Sequence, residues 1–172
     1  MPLFVQNEED AAAVKKDGFT NVRILGAAQD FKGVTLTKTE GQHGSDQAMQ
    51  AIGHLLGKTC GVLFSHPDAH TIYLAGDTIW TDDVALTLAD AKPEIIILNC
   101  GDAQVPGLGG LIMGAEDVLL THKAAPNAMI VASHMEAVNH CVLTRASLRA
   151  YARDNGFSKH LLVPGDGETV TM

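Results

Sequence analysis

The sequence predicts an α/β fold, a sheet covered by helices, and three observations carry that prediction. Short β-rich apolar runs alternate with segments of helical periodicity along the chain. The helical segments open on capping residues such as Asn7 and Thr144 and stop at glycines such as Gly18 and Gly156. Pro93 introduces Glu94-Ile95-Ile96-Ile97-Leu98-Asn99, an apolar run suited to a strand buried on both faces. Nothing in the chain marks a linker, an internal repeat or low complexity, so residues 1–172 read as a single domain.

Taken in order, Leu3 to Gln6 is a short strand. Asn7 caps a helix whose first turn holds Glu8, Glu9 and Asp10, where the helix dipole favours anions, and Ala11 to Lys16 continue it. Thr20 to Leu25 and Val34 to Thr39 are strands, separated by a turn region over Gly26 to Gly33. Ala48 to Leu56 is a helix with Met49, Ile52, Leu55 and Leu56 at helical spacing. Cys60 to Ser65 and Thr71 to Ala75 are strands joined at a hairpin turn, His66 to His70. Asp82 or Asp83 caps a helix to Ala91, and Cys100 to Gly110 is a glycine-rich loop. The rest reads as a helix over Ala115 to His122, a strand over Met129 to Ser133, a helix over Thr144 to Asn155 and a last strand over His160 to Val163.

Composition narrows the function. Hydrophobic residues make up 46% and charged residues 19% of the 172, which is ordinary for a globular domain. The formal charge is −8 and the basic residues are scattered, which argues against nucleic acid as a partner, since phosphate binding needs a basic footprint. Cys60, Cys100 and Cys141 form no close-spaced pair, so neither a disulfide framework nor a zinc knuckle is expected. No apolar run approaches the ~18 residues of a membrane span. The N-terminus has no basic start of a signal peptide. The expectation is a cytoplasmic protein with reduced thiols and no membrane partner.

Three motifs place a metal-capable side chain just past an apolar run, where a sheet delivers side chains to one rim. They are Gly41-Gln42-His43-Gly44, Leu74-Ala75-Gly76-Asp77-Thr78 and Ala132-Ser133-His134-Met135-Glu136. In this order and context they resemble the later metal-binding motifs of the metallo-β-lactamase-fold hydrolases, most closely the ascorbate-6-phosphate lactonase-like branch. Asp10 to Val22, Tyr73 to Trp80, Lys92 to Ile95, His134 to Cys141 and Pro164 to Glu168 extend the resemblance over essentially the whole chain.

The resemblance implies an αββα sandwich and a dinuclear hydrolytic site. In that family the histidine after the Gly-Gln step serves one ion, the aspartate of Gly-Asp-Thr bridges both, and the histidine after the late Ala-Ser step serves the second. Carried over, these are His43, Asp77 and His134 as metal ligands, with Asp77 and His134 at the catalytic centre. Histidine with carboxylate suits zinc first, and manganese or iron as well. Glu136 is a candidate to orient His134 by accepting its second N–H. His140 is a candidate for outer support or substrate contact, and Asp102 for lining the pocket or for steadying its own loop.

The family opens with His-x-His-x-Asp-His, and no such motif occurs in these residues. Met1-Pro2 begins where that segment would have ended. The expectation is therefore a partial sandwich lacking its N-terminal strands and first metal motif, or a fragment read from an internal start codon. Exposed sheet edges then favour a homo-oligomer or a partner chain covering the missing half.

Other tempting features are discounted. His66-x-Asp68-x-His70 mimics a ligand triplet but falls in a hairpin turn. His54 and His122 read as structural, Cys141 as a core thiol, and Gly107 to Gly110 as a flexible pocket loop. Two function classes remain. One is a metal-dependent hydrolase acting on a small-molecule lactone, ester or phosphorylated substrate, residual in activity or completed by another chain. The other is a non-catalytic remnant acting as an interaction or oligomerisation module.

Overall fold

The computed structural model of the chain describes residues 1–136 and 138–171. Its strands are β1 (Leu3–Val5), β2 (Val22–Ile24), β3 (Ala28–Phe31), β4 (Val34–Thr39), β5 (Gly61–His66), β6 (Ala69–Leu74), β7 (Ile95–Asn99), β8 (Gln104–Val105), β9 (Gly109–Gly110), β10 (Met129–Ser133) and β11 (Leu161–Leu162). The helices are α1 (Glu8–Lys16), α2 (Asp46–Leu56), α3 (Asp82–Ala91), α4 (Ala115–Ala124) and α5 (Arg145–Asp154). Seven strands form one mixed sheet in the order β11-β10-β7-β6-β5-β4-β3. Strands β3 to β6 are antiparallel neighbours, whereas β6, β7, β10 and β11 run parallel. The β1–β2 pair and the β8–β9 ribbon stand apart from this sheet. The expected α/β fold is what the chain adopts.

Register explains why both faces are apolar. Leu63, Tyr73, Ile96, Ile130 and Leu161 share one row, so their side chains point to one face. That face is buried with Leu98 and Ala132 under Val84 and Leu88 of α3, Val118 of α4, and Leu148 and Ala152 of α5. Full burial of side chains this size contributes about 1.5–3 kcal/mol each. The neighbouring row, Val62, Leu74, Ile97, Val131 and Leu162, points the other way and is only half-buried. A smaller cluster joins Ala48 of α2 to Ala103, Leu111 and Ile112.

Several elements differ from the sequence reading. Ala28 to Phe31, expected as part of a turn, is a strand that pairs with β4 from Ala28↔Thr37 to Phe31↔Val34. Its polar composition hides it; Phe31 anchors it by an edge-to-face contact with Phe4, centroids 5.3 Å apart. Helix α2 begins at Asp46, because Ser45 accepts a hydrogen bond from the Ala48 amide at 3.1 Å. Helix α3 is capped by Thr81, whose Oγ1 accepts from Val84 N at 3.3 Å, while Asp82 and Asp83 fill the first turn. The glycine-rich loop contains the β8–β9 ribbon, and a 3-10 turn at Ser158–His160 precedes the shortened last strand. None of the described helices is long and apolar enough to cross a membrane.

Candidate functional site

Lys38, Val62, Leu74, Ile97 and Val131 lie level across the sheet, and the same rim lies beyond β4, β6, β7 and β10. Asp77 and His134 each stand three residues past this row. Their side chains meet there: His134 Nε2 lies 3.7 Å from Asp77 Oδ1, with side chains 37% and 35% exposed. Asn99, the last residue of β7, donates its Nδ2 to the same Asp77 oxygen at 2.8 Å and fixes the carboxylate. The turn into Asp77 needs Gly76, at φ 73°, because a Cβ there would lie 2.7 Å from the Cys60 carbonyl oxygen.

The segment bearing His134 sits against the end of β7. A side chain at Gly101 would collide with the His134 carbonyl oxygen and come within 2.8 Å of Cys141 Sγ, so only glycine allows this approach. His134 and Glu136 both have left-handed backbone, at φ 56° and 58°, as does Asp102 at 51°. Such geometry costs non-glycine residues about 1–3 kcal/mol each and persists only where the surroundings impose it. Met135, between two of them, is 1% exposed and pins the turn to the core.

His43 is brought to the same rim but faces elsewhere. Gln42 N donates to the buried Thr78 Oγ1 at 2.9 Å, and Ile79 N to Gln42 O at 2.9 Å, which stitches this loop beside the Asp77 turn. The His43 ring then turns away, its Nδ1 lying 3.4 Å from the Leu56 carbonyl oxygen, and it lines a cleft with Glu40, Met49 and Lys58. Glu136 pairs with Arg145 at 2.7 Å, rather than with the His134 ring that it is expected to orient. Arginine offers it a charged donor, which is the stronger partner. His140 is exposed, and its backbone oxygen accepts from Gln104 N at 3.0 Å. Asp102 accepts from Gln104 Nε2 and lines a cleft of about 550 Å³ with Ile79, Trp80, Asp117 and Tyr151.

Asp117 carries no distinguishing signal in the sequence, where it looks like another acid in a helix's first turn. Burial raises its pKa, and the charges of Asp102 and Glu116 raise it further, against the Gly114 amide that donates to it at 3.0 Å. Burial also raises the Cys141 thiol, with the charges of Asp77 and Asp102 adding to it. Cys141 Sγ lies 3.9 Å from the His134 carbonyl oxygen, and its backbone pairs with Ala103 beside Asp102. The His66–His70 stretch is the hairpin expected: His66 accepts from Asp68 N at 3.1 Å, while His70 pairs with Glu94 at 2.7 Å.

A catalytic zinc takes three protein ligands and a structural one four. Among the described residues no group of three or more His, Cys, Asp or Glu side chains is placed to hold an ion. What Asp77 and His134 fit is a share of a donor set: an imidazole and a carboxylate facing each other at a solvent-reached rim.

No family model matches the chain. It is 47% identical over 170 residues to the UPF0173 protein YddR of Bacillus subtilis (strain 168), and spans 99% of itself and 66% of that relative's length. An isothiocyanate hydrolase from Delia radicum gut bacteria is 46% identical, with a TM-score of 0.96 over all of this chain and 67% of that one. A possible metal-dependent hydrolase from Veillonella parvula DSM 2008 is 39% identical, with the same TM-score and the same coverage. With these solved relatives matched along its full length, and the sheet, rim and motif order they share, the chain belongs to the metallo-β-lactamase-fold family of metal-dependent hydrolases.

Proposed function

We propose that this chain works as a metal-dependent hydrolase whose ion is held by Asp77 and His134 together with donors from another chain. The meeting of these two side chains at 3.7 Å, from strands β6 and β10 that are not neighbours, carries the reading. His43, on the loop stitched beside the Asp77 turn, joins them in this proposal. Zinc is the ion proposed, with manganese or iron as alternatives, and its part is to make hydroxide available at neutral pH. The chain's own residues orient the carboxylate through Asn99, and the cleft lined by Ile79, Trp80 and Asp102, which follows the Asp77 turn in the chain, is proposed to receive the substrate.

That cleft favours an uncharged substrate. Asp102, Glu116 and Asp117 line it beside Trp80, Tyr151 and Ile112, and among the described residues no Lys or Arg does. A phosphorylated molecule would meet three carboxylates there. A lactone, an ester or an isothiocyanate, the last being what one relative's name says it hydrolyses, avoids that repulsion.

The half-buried row Val62, Leu74, Ile97, Val131 and Leu162 supports a further part of the proposal, that a second copy or a partner chain covers this face. It also favours a second reading, in which that pairing is the whole function.

Metal content per chain after gentle purification, compared between wild type and His134→Ala, separates the two readings. Bound zinc that falls with the substitution is the expected result. Near-zero occupancy that ignores it removes the hydrolase reading and leaves the interaction module. A strictly monomeric species in sedimentation at micromolar concentration removes the partner.

A further inference from the structure

Resting on the assignment of His134 to the site, we propose that Arg145 is a positioning residue: its guanidinium locks the loop carrying His134 to the Pro164–Asp166 segment, and so holds the imidazole opposite Asp77. One planar group here makes three bonds to two separate segments. Nη1 donates to Glu136 Oε2 at 2.7 Å, Nε donates to the Pro164 carbonyl oxygen at 2.8 Å, and Nη2 pairs with Asp166 Oδ1. The Arg145 side chain is 18% exposed, while its partners Glu136 and Asp166 are 38% and 88% exposed, so the fork lies at the surface and is held by its three bonds. A lysine, with one compact charge, cannot hold three acceptors set at these angles.

Each end of the clamp is itself fixed. Arg145 opens α5 directly after the Thr144 cap, which is closed by reciprocal bonds with Ser147 at 3.1 Å. The far segment is a turn closed both ways: Gly165 N donates to Glu168 Oε2 at 2.6 Å, and Glu168 N donates to Gly165 O at 3.1 Å. Arg149, one turn further along α5, donates to the Val163 carbonyl oxygen. The Pro164–Glu168 motif thus acquires a task, to give Arg145 a rigid anchor. At the near end, His134 and Glu136 hold left-handed backbone on either side of the buried Met135. Met135 fixes the depth of this turn. The Arg145–Glu136 pair fixes its rotation, and with it the direction of the His134 ring.

The test monitors the His134 ring resonances by NMR in the whole chain without added metal, assigned by their loss in His134→Gln. Arg145→Gln and Glu136→Ala are expected to shift them and to leave those of His54, exposed on α2, in place. Glu136→Gln retains an acceptor and is expected to stay near wild type, while Arg145→Lys restores the position only in part. If Arg145→Gln lowers the thermal midpoint yet leaves the His134 resonances unmoved, Arg145 only braces the fold and the proposal fails. Should Arg145→Gln not fold, the contrast between Glu136→Ala and Glu136→Gln decides alone: equal spectra overturn the clamp. Metal is absent from this measurement, so failure of the clamp is distinguishable from failure of the hydrolase reading.

Discussion

From β6 to β11 the strands run parallel beneath α3, α4 and α5; from β3 to β6 they run antiparallel, rich in threonine and less deeply buried. The two halves also deliver their candidate ligands differently. On the parallel side Asp77 and His134 leave the sheet at the same level, three residues past a common row, and their side chains meet. On the antiparallel side His43 lies five residues past Lys38 of that row, beyond Gly41, and its ring ends against Leu56. A parallel register buried on one face fixes both direction and distance for the residues just beyond each strand end. A longer glycine-containing loop brings the backbone to the rim and leaves the side chain's direction to local contacts.

The strongest way to break this comparison is within β7. Ile96 is fully buried under the helices, while Ile97 points to the half-buried face. Ile96→Ala is expected to cost about 2–5 kcal/mol of stability, as core truncations that leave a cavity do. Ile97→Ala is expected to cost less than half as much in urea unfolding. Equal losses would mean that the second face is as well covered as the first, and the asymmetry of the sheet would have to be abandoned.

Next in size is Gly101→Ala. The new methyl group would strike the His134 carbonyl oxygen and crowd Cys141, neither of which is the free end of a flexible chain. Overpacking of this kind costs about 1–3 kcal/mol. Because the contact lies directly beneath His134, metal binding is expected to weaken together with the unfolding midpoint. Full stability in this variant would show that the two segments are not pressed together.

The sequence carries the parallel half almost whole. Ile95 to Asn99 of the Glu94–Asn99 run form β7, though the face with Ile97 is only half-buried where burial on both faces is expected, and the strand over Met129 to Ser133 is β10 residue for residue. Asp77 and His134 are legible because strand ends in register must come close. The hidden part depends on side-chain partners chosen across the fold. Glu136 and Arg145 lie nine residues apart on a loop and a helix, and nothing in periodicity says that they pair. Asp117 needs burial by its neighbours to differ from Asp82 or Asp83, which sit at the same kind of helix start. The strand β3 is hidden for a related reason: its alternation carries polar groups, and its pairing with β4 supplies what its composition does not.

The smallest expected effect probes the outer edge of the parallel half. His122 of α4 stacks on Phe157, centroids 5.3 Å apart, with His160 at 5.2 Å just before β11, and its Nδ1 is buried without a partner among the described residues. Burial, and then the neighbouring His160, lower its pKa from an ordinary 6.5. In the unfolded chain the imidazole keeps that ordinary value, so as pH falls through 6.5 the unfolded state takes up a proton that the folded state resists. Stability is therefore complete above this range and is lost as pH falls below it. His122→Phe retains the stacked ring and removes both the titration and the orphaned nitrogen. The variant should lose less stability than wild type between urea titrations on either side of 6.5, the gap widening towards acid. Parallel curves would mean that this histidine is hydrated in the folded protein, and that the β11 edge is looser than the rest of its half.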